Sequence, residues 1–594
     1  MPDNIDVPVL IVGAGGAGLT ASMLLSDLGI ETYTITYADS TSILPKAHVL
    51  QQRAMEAFRS CGVADDIYAK SAPPEAIAAT AWYAGVVGDR PDAGRLIGKQ
   101  QCWGAGGRDA EWSLASPCDQ ANLPQIRLEP ILRMHAEAKA PGSIHFGHEL
   151  IGLVQDDMGA TATVRVKSSG EVYTVRARYV LGCDGGRFVG SQIGVELEGI
   201  RDIASIATVY FSADLSQWVR DPDVLLRWIW LPAAGDMATL APMGPDHWGP
   251  DSEEWVCHRN YAIDDPRRLD DGAVVADMLE AFGLPDLDPT VHLVTRWSFE
   301  ALVAPRFRVG WTFLLGDAAH RHGPTSGLGL TTAIQDARNI AWKIAAVLKG
   351  QASDALLDTY EVERKPVAER NVQRSTENAI HHAEIGMALG LSRDQSAEQN
   401  WAQIERLWKD GVDNAEYRRR VRSALALQST EFNEHNVEYG YRYESGAVVP
   451  DDAVPPLSVD PVRVYVPSTY PGGPVPHAWL TDENGELTAV MDLIRPGEFL
   501  LIASEHGDDW ISAAKAVSEQ TGLGVRGVRL GHADGDYFDV RLSWLRRREV
   551  GDDGAVLVRP DGVVAWRSFD KPVDPSRALR EAIDTVLSTT KVMS

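Results

Sequence analysis

Three stretches bring together residue types whose spacing could do chemistry. Gly13-Ala14-Gly15-Gly16-Ala17-Gly18 follows at once on the apolar, β-branched run 7–12. In a G-x-G-x-x-G turn the first glycine lets the strand turn sharply, the second lets backbone approach a pyrophosphate, and the third lets helix and strand pack closely. The helix that opens there points N–H groups and its positive dipole end at the anion. Strand before and helix after, the hexamer predicts a dinucleotide site rather than a merely tight turn. The acidic residue that should hold ribose about twenty positions on is replaced: Thr36 and Tyr37 stand there, and Asp39 arrives a few residues late.

The second stretch, Gly316-Asp317-Ala318-Ala319-His320, runs on through Arg321-His322-Gly323-Pro324-Thr325-Ser326-Gly327-Leu328-Gly329-Leu330 into a helical pattern. An Asp at a strand end can accept from a ribityl hydroxyl. Pro324, Gly327 and Gly329 permit a stiff, close approach to a flat ligand, and a helix beginning near Leu330 offers N–H donors to developing charge. The third stretch, Val180 to Gly186, is a strand entering a tight Asp-Gly turn. Among the histidines, His48 titrates near neutrality and suits a base; packing beneath a loop is its other reading. His320 and His322 read as hydrogen-bonding partners of their loop backbone, and His381-His382, on a charged helix, as solvated.

The elements that must position these residues follow from periodicity. Residues 7–12, 19–28 and 31–36 read as strand, helix and strand. Short strands with Gly and Asp turns fill 146–184, and strands at 204–211, 224–231 and 255–262 continue, interrupted by one helix at 272–282. Beyond 313–315 the pattern turns helical, at 330–348, 353–384 and 397–427. A Pro- and Gly-rich linker at 448–473 precedes a small unit of alternating strands and helices.

These motifs, in this order and separation, resemble the single-component FAD-dependent aromatic hydroxylases of the p-hydroxybenzoate hydroxylase fold. Within them the chain is most similar to the subgroup of phenol hydroxylase, 2,4-dichlorophenol 6-monooxygenase and 2-hydroxybiphenyl 3-monooxygenase. The likeness includes Pro45-Lys46-Ala47-His48, Gln52-Arg53-Ala54-Met55-Glu56, Leu123-Pro124-Gln125, Asp336-Ala337-Arg338-Asn339 and Pro476-His477-Ala478-Trp479-Leu480. It implies a mixed α/β and α+β chain. An FAD-binding Rossmann-like domain (1–75, 110–195, 300–350) would carry an inserted β-sheet substrate domain (76–109, 196–299). A helical segment and linker (351–445) would lead to a thioredoxin-like C-terminal domain (446–594), which lacks redox cysteines because none follows Cys257.

The same resemblance implies residue roles. Gly13, Gly15 and Gly18 would hold the adenine-side pyrophosphate, Lys46 stands where an Arg commonly contacts the pyrophosphate, Arg53 would also bind the cofactor, and Gln125 would lie near the flavin. Asp317 would bind ribityl and pyrophosphate, and Pro324, Gly327, Gly329, Leu330 and Thr331 would line the ring. Thr331 replaces a common Asn, and Phe188 a common Ser. No second glycine-rich fingerprint appears, which fits NADPH or NADH acting as a transient reductant. The implied reaction is hydroxylation of a phenolic or hydroxylated heteroaromatic ring with NAD(P)H and O2 through a C4a-hydroperoxyflavin. His48 is its base, and Arg227, Trp228 and Trp297 line the substrate. For Trp228, ordinary sheet core is the competing reading, and Leu225 stands where the subgroup has an Asp. An epoxidase or Baeyer–Villiger-type oxygenase on a polyketide-like substrate is the alternative on the same fold.

Composition narrows the rest. The 594 residues carry a net charge of −27, which repels phosphate backbones and anionic lipid, so neither nucleic acid nor membrane is expected as partner. Five scattered cysteines without C-x-x-C spacing suit a reducing, cytoplasmic setting and offer no metal motif. A homo-oligomer, dimer or higher, is the expected assembly.

Overall fold

A computed structural model describes residues 4–589. Its first sheet is built on Asn4–Val12, which lies between Val172–Gly182 and Thr32–Thr36 and runs parallel to both. Val9, Leu10 and Ile11 are fully buried, as a strand covered on both faces requires, and this explains a continuous apolar run rather than an alternating one. Thr312–Leu314 adds in parallel on the far side of Val172–Gly182. The register places Val12 opposite Gly182 and Ile35, and Gly182 opposite Leu314. All three sequence motifs therefore leave the sheet at the same carboxyl edge, where open α/β sheets bind ligands.

The second sheet has eight strands, drawn from Ala79–Ala84, Arg95–Gln101, Glu198–Ser212, Val224–Leu231, Asp236–Gly244, Glu254–Tyr261, Thr290–Val303 and His320–Arg321. His320–Arg321 pairs with Leu302 and Val303, so the chain passes directly from the first sheet's edge into the second. One face packs Val209, Phe211, Leu240 and Trp255 against Val274, Met278 and Phe282 of the helix Asp271–Phe282. The opposite face looks toward the long helix Ala355–Leu389, where a methyl group on Gly386 would meet Trp230 at 2.7 Å.

The helix expected over 397–427 is two helices, Ala397–Ile404 and Val412–Leu427. Gly411, at φ +115°, and the extended Lys409 before it break the run. The C-terminal unit is a seven-stranded sheet in which Phe499–Ala503 runs parallel to Val525–Gly531 and antiparallel to Ala555–Val558. Helices Asp508–Thr521 and Pro575–Val586 contribute to its apolar packing. It is tied to the rest by fully buried charge: Arg559 pairs with Glu363 (2.6 Å), which also accepts from Lys343 (2.7 Å). Two or more partners on each side satisfy groups that would otherwise be costly to bury.

Candidate active site

At the carboxyl edge Gly13 adopts φ +112°, and a side chain there would run into the Cys183 carbonyl at 2.2 Å. A methyl group on Gly18 would lie 1.9 Å from the Gly13 carbonyl. Gly15 differs: added carbon would meet only Glu129 Oε1, at 3.6 Å. Two of the glycines are thus dictated by the turn itself, and the middle one by space left open for something else. Gln125, at the start of the helix Gln125–Lys139, donates to that same Glu129 oxygen (2.9 Å) and accepts from the Ala47 N–H (3.2 Å). Lys46 is exposed at φ +42° beside them. Asp184 turns inward, accepting from the N–H groups of Gly186, Phe188 and Val189, so it shapes its own loop.

Two helices begin at this edge without side-chain caps, Gly16–Asp27 and Leu328–Leu348. Their first turns touch, since carbon added to Gly16 would sit 2.7 Å from Leu330 Cδ1. Uncapped N–H groups of both helices converge there, a ready site for pyrophosphate and an electron-rich ring. Asp317 is exposed at the strand end as expected. The residues present therefore fit FAD: an open cradle at Gly15, an exposed carboxylate at Asp317 and two unsatisfied helix starts.

The glycine-rich loop is held rigidly. Ser326 (φ +74°) and Gly327 (φ +66°) both take the left-handed conformation, which costs a non-glycine residue about 1 kcal/mol or more. Three side chains bracket Ser326: its N–H donates to Glu431 (3.2 Å), its hydroxyl accepts from Asn378 (2.6 Å), and its carbonyl accepts from Gln51 (3.2 Å). The Gln51 N–H in turn donates to Thr331 Oγ1 (3.3 Å). Sequence reasoning missed Gln51, the extended residue before the helix Gln52–Ser60, and Asn378 and Glu431, each a buried polar residue within a helix.

His320 and His322 do not bond the loop backbone with their rings, as was expected. The His320 ring pairs with Asp336 (2.7 Å) and stacks on His322, because Asp336 of the following helix is fully buried and needs partners. Burial would raise the Asp336 carboxyl, but the charges of His320 and Arg364 hold it below the usual range. His382 is likewise buried rather than solvated. It stacks on Trp228 at 3.9 Å and bonds Glu431 at 2.7 Å, since its side of the long helix faces the sheet.

The segment carrying His48 is pinned by strand pairing of Val49 and Leu50 with Asn122 and Ala121. His48 Nδ1 donates to Asn122 Oδ1 at 2.5 Å, which leaves Nε2 as a bare lone pair. Burial lowers the His48 pKa, opposed by the Asn122 bond, so the ring is neutral at pH 7. Trp297 donates to Thr208 (2.9 Å), which also bonds His258 (2.7 Å). Trp228 donates to Thr80 (2.8 Å) on the same face of the sheet. Arg227, one position earlier in the strand, projects from the other face. There it lies over Trp255 and donates to the Asp221 carbonyl, apart from Trp228 and Trp297. Arg53 is also drawn away from the glycine turn: its guanidinium pairs with Glu56 (2.6 Å) beneath Tyr439 and Tyr441.

Residues 6–375 match the FAD binding domain family, and residues 468–590 match the family described as aromatic-ring hydroxylase, C-terminal. The chain is 33% identical to 2,4-dichlorophenol 6-monooxygenase of Delftia acidovorans, over 98% of each chain. It belongs to the FAD-dependent aromatic-ring hydroxylases. Phenol 2-monooxygenase of Pseudomonas sp. (strain EST1001) is also 33% identical, covering 98% of this chain and 92% of that one. Among solved structures, the flavin-dependent monooxygenase PieE in complex with FAD and substrate superposes with TM-score 0.92 at 36% identity, over 99% of this chain and 100% of that one. Aklavinone-11 hydroxylase with FAD and aklavinone gives 0.76 at 28%, over 98% and 99%. The protein is an FAD-dependent aromatic monooxygenase, as its sequence motifs imply. Among the described residues no cluster could hold a metal ion and no helix is long and apolar enough to cross a membrane.

Proposed function

We propose that this hydroxylase acts on a small phenolic or hydroxylated heteroaromatic ring, with His48 as the base that takes the proton of the ring hydroxyl. The observation that carries the reading is the bare Nε2 of His48, fixed through Nδ1 by Asn122 and neutral at pH 7 because burial lowers its pKa. FAD, when bound, would supply the redox chemistry that activates oxygen, with NADPH or NADH as reductant and O2 as the oxygen source. Gly13, Gly15, Gly18, Lys46, Gln125 and Asp317 would hold it, with Pro324 and Gly327 to Thr331 along its ring. The protein's share is to fix orientation, exclude water and hold the phenolic proton at His48 Nε2, since a phenolate ring attacks faster than a phenol. Trp297 and Trp228 wall the ring on the sheet side. Two relatives are named for phenols, which supports this substrate class. The five unpaired cysteines support a cytoplasmic setting, and the exposed Val454, Leu457 and Val459 on one loop support a homo-oligomer.

The test is stopped-flow flavin reduction by NADH and NADPH across a panel of phenols and hydroxypyridines. Reduction accelerates at least tenfold with a bound substrate, and His48→Ala keeps its flavin but loses substrate-stimulated hydroxylation. Wild-type turnover in that variant would remove His48 from the mechanism.

A further inference from the structure

Thr208 on Glu198–Ser212 and His258 on Glu254–Tyr261 stand opposite each other in the second sheet, and Trp297 projects beside them from Thr290–Val303. An indole N–H can only donate, so Thr208 Oγ1 accepts from Trp297 at 2.9 Å. Thr208 has one proton to give, and its one remaining side-chain partner among the described residues is His258 Nδ1, at 2.7 Å. Nδ1 is then an acceptor, and the proton of the neutral ring sits on Nε2, on the far edge of the imidazole. Burial, with the charge of His48 adding to it, pulls the His258 pKa down to about 4, so the ring carries this one proton across the working range. His48, His258, Trp228 and Trp297 are all only half-buried, and Val49 beside His48 packs in one cluster with Leu226 and Trp228, which lie on the sheet face that carries His258, so both imidazoles border that face. Their tautomers are complementary: Asn122 leaves His48 a bare Nε2 lone pair, and Thr208 leaves His258 an Nε2–H. Nearby on this face Tyr210, Ala241, Met243 and Val256 form an apolar cluster, and the Tyr210 hydroxyl is already given to Glu254.

We propose that His258 is a specificity-determining hydrogen-bond donor, selecting hydroxylated rings that carry a second, acceptor oxygen, such as a hydroxyaryl ketone or hydroxypyridone, over simple phenols. This rests on the reading of His48 as the partner of the ring hydroxyl. A site built to bond an oxygen discriminates strongly against an analogue lacking it, because the buried donor is then left unpaired.

The experiment titrates FAD-loaded wild-type protein by flavin difference absorbance with 2-, 3- and 4-hydroxyacetophenone and with the matching ethylphenols. At least one ketone is expected to bind tenfold or more tightly than its ethyl counterpart. His258→Phe brings the ratio to within about twofold, and His258→Gln, which keeps an N–H, retains part of it. Thr208→Val, which frees the ring proton to move to Nδ1, lowers the ratio with His258 untouched and serves if the Phe variant fails to fold. Equal affinity within every pair in the wild type, or a ratio unchanged in His258→Phe, overturns the proposal while leaving the hydroxylase reading intact. Binding of none of the six ligands would instead contradict the phenolic substrate class, and this proposal with it.

Discussion

The imidazole of His382 stacks on the indole of Trp228, 3.9 Å between ring centroids, and its Nε2 reaches Glu431 at 2.7 Å. Through Glu431 the second sheet is connected to the strained Ser326 of the glycine-rich loop. Glu431→Ala leaves the Ser326 N–H and His382 unpaired in a buried setting, a loss of about 1–3 kcal/mol. FAD affinity, read by fluorescence titration, falls tenfold or more, and Glu431→Gln recovers most of it. An unchanged affinity in Glu431→Ala would show that the loop holds its shape without this bond.

Gly15 and Gly18 separate ligand binding from folding. Gly15→Ala places carbon in open space, 3.6 Å from the nearest atom. The apoprotein should melt within about a degree of wild type, yet bind FAD far more weakly. Gly18→Ala meets backbone at 1.9 Å and should lower the melting temperature of the apoprotein itself. Equal behaviour of the two variants would contradict the distinct roles assigned to them.

As the proposed base, His48 would set the acid limb of activity. Its pKa is lowered from 6.5 by burial, and a base works only when deprotonated. Substrate-stimulated kcat/KM is therefore full at neutral pH and falls only as pH drops below the ordinary imidazole value of 6.5. The limb disappears in His48→Ala, where the residual rate is flat with pH. A limb that survives in the variant would belong to another group.

Glu434 supplies a stability signature. Burial, with the charge of Glu431 adding to it, pushes its carboxyl up to about 8 although Arg374 lies 3.5 Å away. The folded state thus holds a proton that the unfolded chain releases near pH 4.5. The associated stability is present below about 4.5 and is lost as pH rises toward 8. Glu434→Gln should leave the melting temperature unchanged at pH 4.5 and raise it by several degrees at pH 8. Parallel pH curves for the two proteins would contradict this.

Much of the fold was legible because local signals agreed with one another. The run 7–12 and its glycine turn specify a buried parallel strand and a ligand-facing helix start without help from elsewhere. What escaped depended on contacts distant in sequence. His382 looks solvated on its own helix and is buried only because a sheet lies against it. Arg227 and Trp228 are adjacent in sequence, and strand alternation sends them to opposite faces. Arg53 sits in a motif associated with the cofactor, yet Glu56, three residues on, captures it. The buried acids at 431, 434 and 438 gave no sequence signal, since three glutamates at helical spacing ordinarily mark a solvated face.

The most direct test of the central claim is turnover under 18O2 with NAD(P)H and a hydroxylated aromatic substrate that speeds flavin reduction. The account predicts FAD bound at one per chain and a product carrying one heavy oxygen on the ring. NAD(P)H consumed with all oxygen recovered as hydrogen peroxide, and no label in any product, would contradict it.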